Sequence, residues 1–295
     1  MSKAIICDKL ILGTVQFGLN YGINNSKGKV SLNDSLKILE YAYDNGIRTL
    51  DSAEVYGNAH DIIGTFHEKN PTKIFNIITK LPKLINYDIN DKINVYLKDL
   101  KVKYLETLMF HSFDSYKNNL NNFNILKELK SNNKIISLGV SVYTNTEVEK
   151  VLLNKDIDII QLPFNLFDNA SLRVNILQKA KIAGKTIHTR SALLQGIFFK
   201  NPSEKNIIVS KLRKELEEIH KISSDNNISI SNMALSYVFN KPYIDNIVIG
   251  VDSLLQLKQN LKSINFKMNE DVINSINNIK IKNKEFLNPV TWLKY

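Results

Sequence analysis

Short apolar runs alternate along this chain with longer segments of helical spacing. Residues 31–45 show the helical kind. Leu32, Leu36, Leu39 and Tyr43, joined by Ile38 and Ala42, recur every three or four positions, and Gly46 supplies the stop. The run that follows, 49–53, is short and apolar and ends among polar residues, as a strand does on entering a loop. The same pair of patterns then repeats. Strands are expected to begin near residues 10, 49, 75, 104, 135, 157, 185 and 246. Between them lie predicted helices over 60–69, 90–101, 119–131, 145–153 and 170–183. Two helices, 203–226 and 231–239, separate the last two strands. Two more, 253–262 and 269–279, follow. Residues 4–11, interrupted by Asp8 and Lys9, read as an opening hairpin that runs into the first strand.

Strand and helix alternating eight times call for parallel pairing with helical crossovers. No low-complexity linker divides the chain. The expected fold is therefore α/β: one (β/α)8 TIM barrel over residues 1–295, with an N-terminal hairpin and extra C-terminal helices. A doubly wound open sheet is the competing architecture. Its dinucleotide-binding forms need G-x-G-x-x-G after a strand, and none is present. Gly13 and Gly18 bracket a loop, but Leu19 and Asn20 stand where a phosphate-binding P-loop needs Lys and Ser or Thr.

Composition narrows the class. Of the 295 residues 43% are hydrophobic and 23% charged, as in ordinary globular proteins. No apolar run approaches the roughly 18 residues of a membrane span. The first nine residues are too short and broken for a signal peptide. The lone Cys7 excludes an intrachain disulfide and fits a reducing cytoplasm. The net charge of +10 is spread rather than clustered; Lys211, Arg213 and Lys214 share a segment with Glu215, Glu217 and Glu218. That reads as a solvated helix face, not a nucleic-acid stripe.

In a parallel barrel the carboxyl ends of the strands face one cavity. Those ends carry Asp51 and Tyr56 after the second strand, Lys80 after the third and His111 after the fourth. Each alone has an ordinary structural explanation, as a cap, a rim charge or a packed ring. Together they have a chemical use. A phenol with pKa near ~10 is a poor acid at neutral pH. An ammonium beside it is expected to lower that value, a carboxylate holds the ammonium, and an imidazole can polarise a carbonyl oxygen.

These segments, Asp51-Ser52-Ala53-Glu54-Val55-Tyr56-Gly57, Ile78-Thr79-Lys80 and Leu108-Met109-Phe110-His111, resemble those carrying the catalytic tetrad of aldo-keto reductases, and the likeness spans nearly the whole chain. The resemblance implies a carbonyl reductase using NADP(H) ahead of NAD(H), without a metal. It makes Tyr56 the acid, Lys80 its tuning group, Asp51 the holder of Lys80, and His111 the residue that orients the substrate oxygen. Further matches imply cofactor contacts at Gly13, Thr14, Ser141, Gln161, Arg190, Ser191, Leu193, Gly250, Asp252, Gln256 and Asn260.

Three positions depart from the family's pattern. Val142 replaces a common Asn. Arg190 replaces the aromatic that stacks on nicotinamide, a place a planar guanidinium could also take. Gln256 stands where an arginine often meets the 2′-phosphate, with Lys258 nearby. The opening loop, Gln16-Phe17-Gly18-Leu19-Asn20-Tyr21-Gly22, is rich in amides and rings. Gln16, Phe17 and Tyr21 are therefore candidate substrate contacts. This loop and Arg190 also look like a bacterial subgroup linked to sugar and surface-polysaccharide metabolism. The expectation is a cytoplasmic monomer or weak homo-oligomer acting on a small carbonyl compound, with neither nucleic acid nor membrane as partner. Two alternatives remain open: a nucleotide-binding sensor or regulatory subunit with little turnover, and a metal-dependent barrel hydrolase. Against the latter, no H-x-H pair or carboxylate–histidine cluster has ligand spacing.

Overall fold

The computed structural model describes residues 8–85 and 87–294. Eight parallel strands close into a barrel in sequence order. They are β1 (Leu10–Gly13), β2 (Thr49–Asp51), β3 (Asn76–Leu81), β4 (Leu105–Phe110), β5 (Ile135–Ser141), β6 (Ile159–Pro163), β7 (Thr186–Arg190) and β8 (Asn246–Gly250). Closure is made by β1 and β8, with Gly13 opposite Gly250. The expected hairpin falls mostly on residues 1–7, outside the described residues.

Helices form where the pattern predicts them, and most of their starts are capped. Ser31 accepts from the Asp34 amide, Ser253 from that of Gln256, and Thr144 with Glu147 makes a reciprocal capping box. Two helices differ from expectation. The predicted helix over 203–226 is two, Ile207–Lys211 and Arg213–Asp225, because Leu212 leaves helical geometry; the first starts later than expected, at Ile207, where the Asn206 side chain caps it by accepting from the Val209 amide. The helix predicted over 119–131 begins instead as Phe113–Asn118, breaks at a short 3-10 turn and resumes at Phe123.

Side chains alternate across each strand. Leu12, Leu50, Ile77, Leu108, Ile160 and Ile187 face outward into the large core beneath the helices. Ile11, Ile78, Met109 and Ile159, with Val248 against them, form a separate cluster inside the barrel. Two residues further along each of these inward rows lie Gly13, Lys80, His111, Gln161 and Gly250. The pleat thus sends these positions into the same mouth, where Asp51, Ser141 and Arg190 end their own strands.

Candidate active site

Asp51 is the hub of the mouth. Lys80 Nζ bonds one carboxylate oxygen, and Gln161 Nε2 donates to the other at 2.8 Å. Lys80 Nζ also donates to the Ser52 carbonyl at 2.9 Å. Three strands therefore meet on one buried ion pair. Burial lowers the Lys80 pKa, and the charge of Asp51 opposes that shift.

Tyr56 stands on the loop after β2, half-buried, with its ring 5.2 Å from Lys80 Nζ and edge-on to His111 at 5.7 Å. That loop is held from three sides. The Glu54 amide donates to the Lys80 carbonyl at 3.2 Å. The Glu54 carboxylate accepts from Tyr87 at 2.7 Å and Tyr96 at 2.6 Å and pairs with Lys92 at 2.5 Å. Gly57, at φ +55°, packs its backbone on Gly18 so closely that a Cβ would lie 2.5 Å from the Gly18 carbonyl oxygen.

Charge states follow from burial. The Tyr56 pKa is pushed up, first by burial and then by Asp51, with Arg190 opposing. The sequence-based expectation that the ammonium lowers it is not met, because burial dominates and the charge of Asp51 adds to it. The phenol is a held proton at neutral pH. The His111 pKa falls to about 3, through burial and then Lys80, so its imidazole is neutral.

Arg190, at the end of β7, lies along β5. Its Nε donates to Ser141 Oγ at 3.3 Å and its Nη2 to the Val142 carbonyl at 3.2 Å. Its guanidinium carbon sits 4.1 Å from the centre of the Tyr143 ring. Tyr143 was not singled out by sequence reasoning; the signal was its place just past a strand end.

The far side of the mouth is built on the β1–β8 seam. The Gln16 side chain lies over Gly250, where an added Cβ would meet its Nε2 at 2.6 Å. Gln16 Oε1 is buried and has no hydrogen-bond partner. Beyond it, Asp252 and Gln256 bond each other: the Asp252 amide donates to Gln256 Oε1 at 2.8 Å, and Gln256 Nε2 donates to Asp252 Oδ2 at 3.3 Å. Lys258 turns away, 5.1 Å from the Tyr41 ring. Asn260 is buried on the cavity side of the helix Leu254–Ser263.

Across the top, Asn24 Nδ2 donates to the Gly196 carbonyl at 2.6 Å, and Gln195 Nε2 to the Tyr21 hydroxyl at 3.0 Å. The loop after β7 reaches this position through left-handed backbone at Ser191, Leu194, Gln195 and Gly196. All the expected site residues but one line a single cavity of about 540 Å³. The exception is Phe17, which is fully buried in the core and not a substrate contact. Residues Val15–Gly18 form one helical turn rather than an open loop, which sends Gln16 to the cavity and Phe17 inward. Among the described residues, no group of three or more His, Cys, Asp or Glu could hold a metal ion.

The model of the aldo/keto reductase family matches residues 9–281. This chain belongs to that family. The family is one of carbonyl-reducing oxidoreductases that use nicotinamide cofactors. The chain is similar to "Uncharacterized oxidoreductase YqkF" of Bacillus subtilis, 22% identical, over 79% of this chain and 83% of the other. It is also similar to "Putative voltage-gated potassium channel subunit beta" of Schizosaccharomyces pombe, 23% identical, over 82% of each chain. Among solved structures, aldo-keto reductase AKR11C1 from Bacillus halodurans, in its holo form, superposes with a TM-score of 0.73 at 15% identity, over 92% of each chain. No described helix is long and apolar enough to cross a membrane.

Proposed function

We propose that this reductase transfers a hydride from NAD(P)H to the carbonyl of a small hydroxylated aldehyde or ketone, with Tyr56 as the general acid. The observation that carries this reading is the convergence of a protonated Tyr56, a neutral His111 and the Lys80–Asp51 pair on one cavity.

The residues present fit a dinucleotide. Gly13 and Gly250 add no side chains to the floor, and over Gly250 lies Gln16, whose Oε1 is a buried acceptor in want of a donor. Thr14, Ser191, Leu193 and Asn260 would complete the walls of that groove, and Ser141 and Gln161 would meet the nicotinamide amide. When bound, the cofactor supplies the hydride. The chain's own residues do the rest. Tyr56 gives its proton to the oxygen as negative charge develops there. His111, neutral, hydrogen-bonds the same oxygen and aligns it. Lys80 brings positive charge next to the phenolate left behind, and Asp51, held by Gln161, keeps Lys80 in place.

At the far end the donor set favours NAD(H), against the expectation from the resemblance. Among the described residues no Lys or Arg lines the cavity there, whereas the Asp252 carboxylate suits a free ribose hydroxyl and repels a 2′-phosphate. Tyr21, Asn24 and Gln195 at the rim support a substrate rich in hydroxyls, such as a sugar derivative.

A second reading, a nucleotide-binding regulatory subunit with little turnover, is favoured by the likeness to a protein named as a channel subunit. Cofactor binding followed by fluorescence, with absorbance assays on a panel of aldehydes and sugars, separates the two. A reductase gives turnover that falls by about 10²-fold or more in Tyr56→Phe while dinucleotide still binds. Tight binding with no turnover on any carbonyl supports the regulatory reading. Undiminished turnover in Tyr56→Phe would remove Tyr56 from the mechanism.

A further inference from the structure

Arg190 is a cation with no carboxylate in direct contact among the described residues; its electrostatic influence reaches Asp168, which is already bound to Arg173. Of the buried cations among the described residues, Lys185 is taken up by the Asn154 and Ile157 carbonyls, and two have carboxylates. Lys80 has Asp51, and Arg173 holds both oxygens of Asp168 through Nε and Nη2. Arg190 uses the same Nε and Nη2 edge on a neutral hydroxyl and a carbonyl. No carboxylate among the described residues pairs with it, and its Nη1 has no protein partner there. Tyr143 covers one face of the guanidinium. Stacking and two hydrogen bonds fix the group in one orientation, with its remaining edge toward the cavity it lines.

A part-buried guanidinium loses hydration, and neutral acceptors replace only some of it. Its free edge has the planar, forked geometry that accepts a carboxylate or another oxyanion. The location decides whose anion that is. Arg190 lies close enough to Tyr56 and Tyr21 to bias both phenols. It is therefore at the reacting end of the cavity, across from the Asp252–Gln256 end.

We propose that Arg190 anchors an anionic group of the substrate, so that the preferred carbonyl compound is an acid, such as an oxo acid or an acidic sugar. This rests on the reductase reading above for its reaction, though not for its binding site. The anion fixes one end of the substrate on Arg190 while the carbonyl faces Tyr56 and His111. The proton donor and the charge anchor come from different strands, β2 and β7, so the distance between carbonyl and acid group becomes a selected property.

The test compares succinic semialdehyde with its methyl ester in wild type, Arg190→Met and Arg190→Lys, each checked for a native melting transition. Wild type is expected to favour the acid in kcat/KM by about 30-fold or more, the lower end of what removing a buried charge partner costs. Arg190→Met brings that ratio to near one, mainly through KM for the acid, and Arg190→Lys retains part of it. No preference in wild type, or a preference that survives in Arg190→Met, overturns the proposal. Failure to reduce either compound would count against the reductase reading, so a second arm needs no chemistry. Succinate, which has no carbonyl to reduce, is titrated by calorimetry with saturating dinucleotide present. Binding that disappears in Arg190→Met supports the anchor. Absence of binding, or displacement of succinate by the dinucleotide, overturns it, the latter by assigning the guanidinium to the cofactor.

Discussion

A Cβ placed on Gly18 would lie 1.6 Å from the carbonyl oxygen of Tyr56. The turn after β1 and the loop after β2 thus touch backbone to backbone, and the contact sets the height of the proton donor. Gly18→Ala cannot be absorbed by a side-chain rotation, because the clash is with main chain. It should move Tyr56 by the order of an ångström. A displacement of that size costs roughly 10²-fold in kcat. Steady-state kinetics on Gly18→Ala, with circular dichroism to confirm the barrel, would show this; a kcat within twofold of wild type would mean the loops adjust independently of the chemistry.

Removing one member of the Lys80–Asp51 pair is expected to destabilise the barrel as well as inactivate it. In Lys80→Met the buried Asp51 carboxylate keeps only the Gln161 amide as partner. Breaking a buried pair this way costs about 3–5 kcal/mol. The double variant Lys80→Met/Asp51→Asn removes the stranded charge and should recover part of that loss. Urea unfolding of the single and double variants measures both; equal stability of the two would contradict the pairing argument.

Acid should weaken the fold through its buried histidines. His60 and His188 are buried, and burial lowers the pKa of each to about 4. Between there and their ordinary value of about 6.5, the unfolded chain holds protons that the native state does not. More protons on the unfolded state means stability rises with pH, so it is full above about 6.5 and is lost as pH falls toward 4. Each histidine contributes a slope of up to about 1.4 kcal/mol per pH unit in that window. Urea midpoints between pH 7 and pH 4.5 check the sign; His188→Asn should flatten the curve.

Cofactor choice should be readable in binding alone. NADH is expected to bind wild type at least as tightly as NADPH, because at the start of the helix Leu254–Ser263 Asp252 and Gln256 bond each other and no Lys or Arg among the described residues lines the cavity beside them. Gln256→Arg frees Asp252 from that bond and adds a charge. It should shift the affinity ratio toward NADPH by roughly tenfold. Fluorescence titration of both nucleotides gives the ratio directly.

Much of this molecule is written in local pattern. Eight apolar runs, spaced by helical segments, determine eight parallel strands, because each strand must return to the same edge through a helix. Asp51, Lys80 and His111 were legible for the same reason: an alternating strand fixes which residues emerge at its carboxyl end and on which face; Tyr56, on the loop after β2, was legible through the likeness of its segment to the family's. Tertiary structure decided what local pattern does not encode. Phe17 and Gln16 are neighbours of opposite fate, because one residue step along a helical turn separates them by about 100°. The break at Leu212 comes from a residue that leaves helical geometry between two helices, which the helical spacing of the sequence does not show. The raised pKa of Tyr56 depends on how burial and two opposed charges balance in space, which order along the chain does not state. The orientation of Arg190 comes from Ser141, Val142 and Tyr143, nearly fifty residues earlier. Sequence named it as a departure; only closure of the barrel set it against Tyr143, with no carboxylate in contact among the described residues, at the mouth that Tyr56 serves.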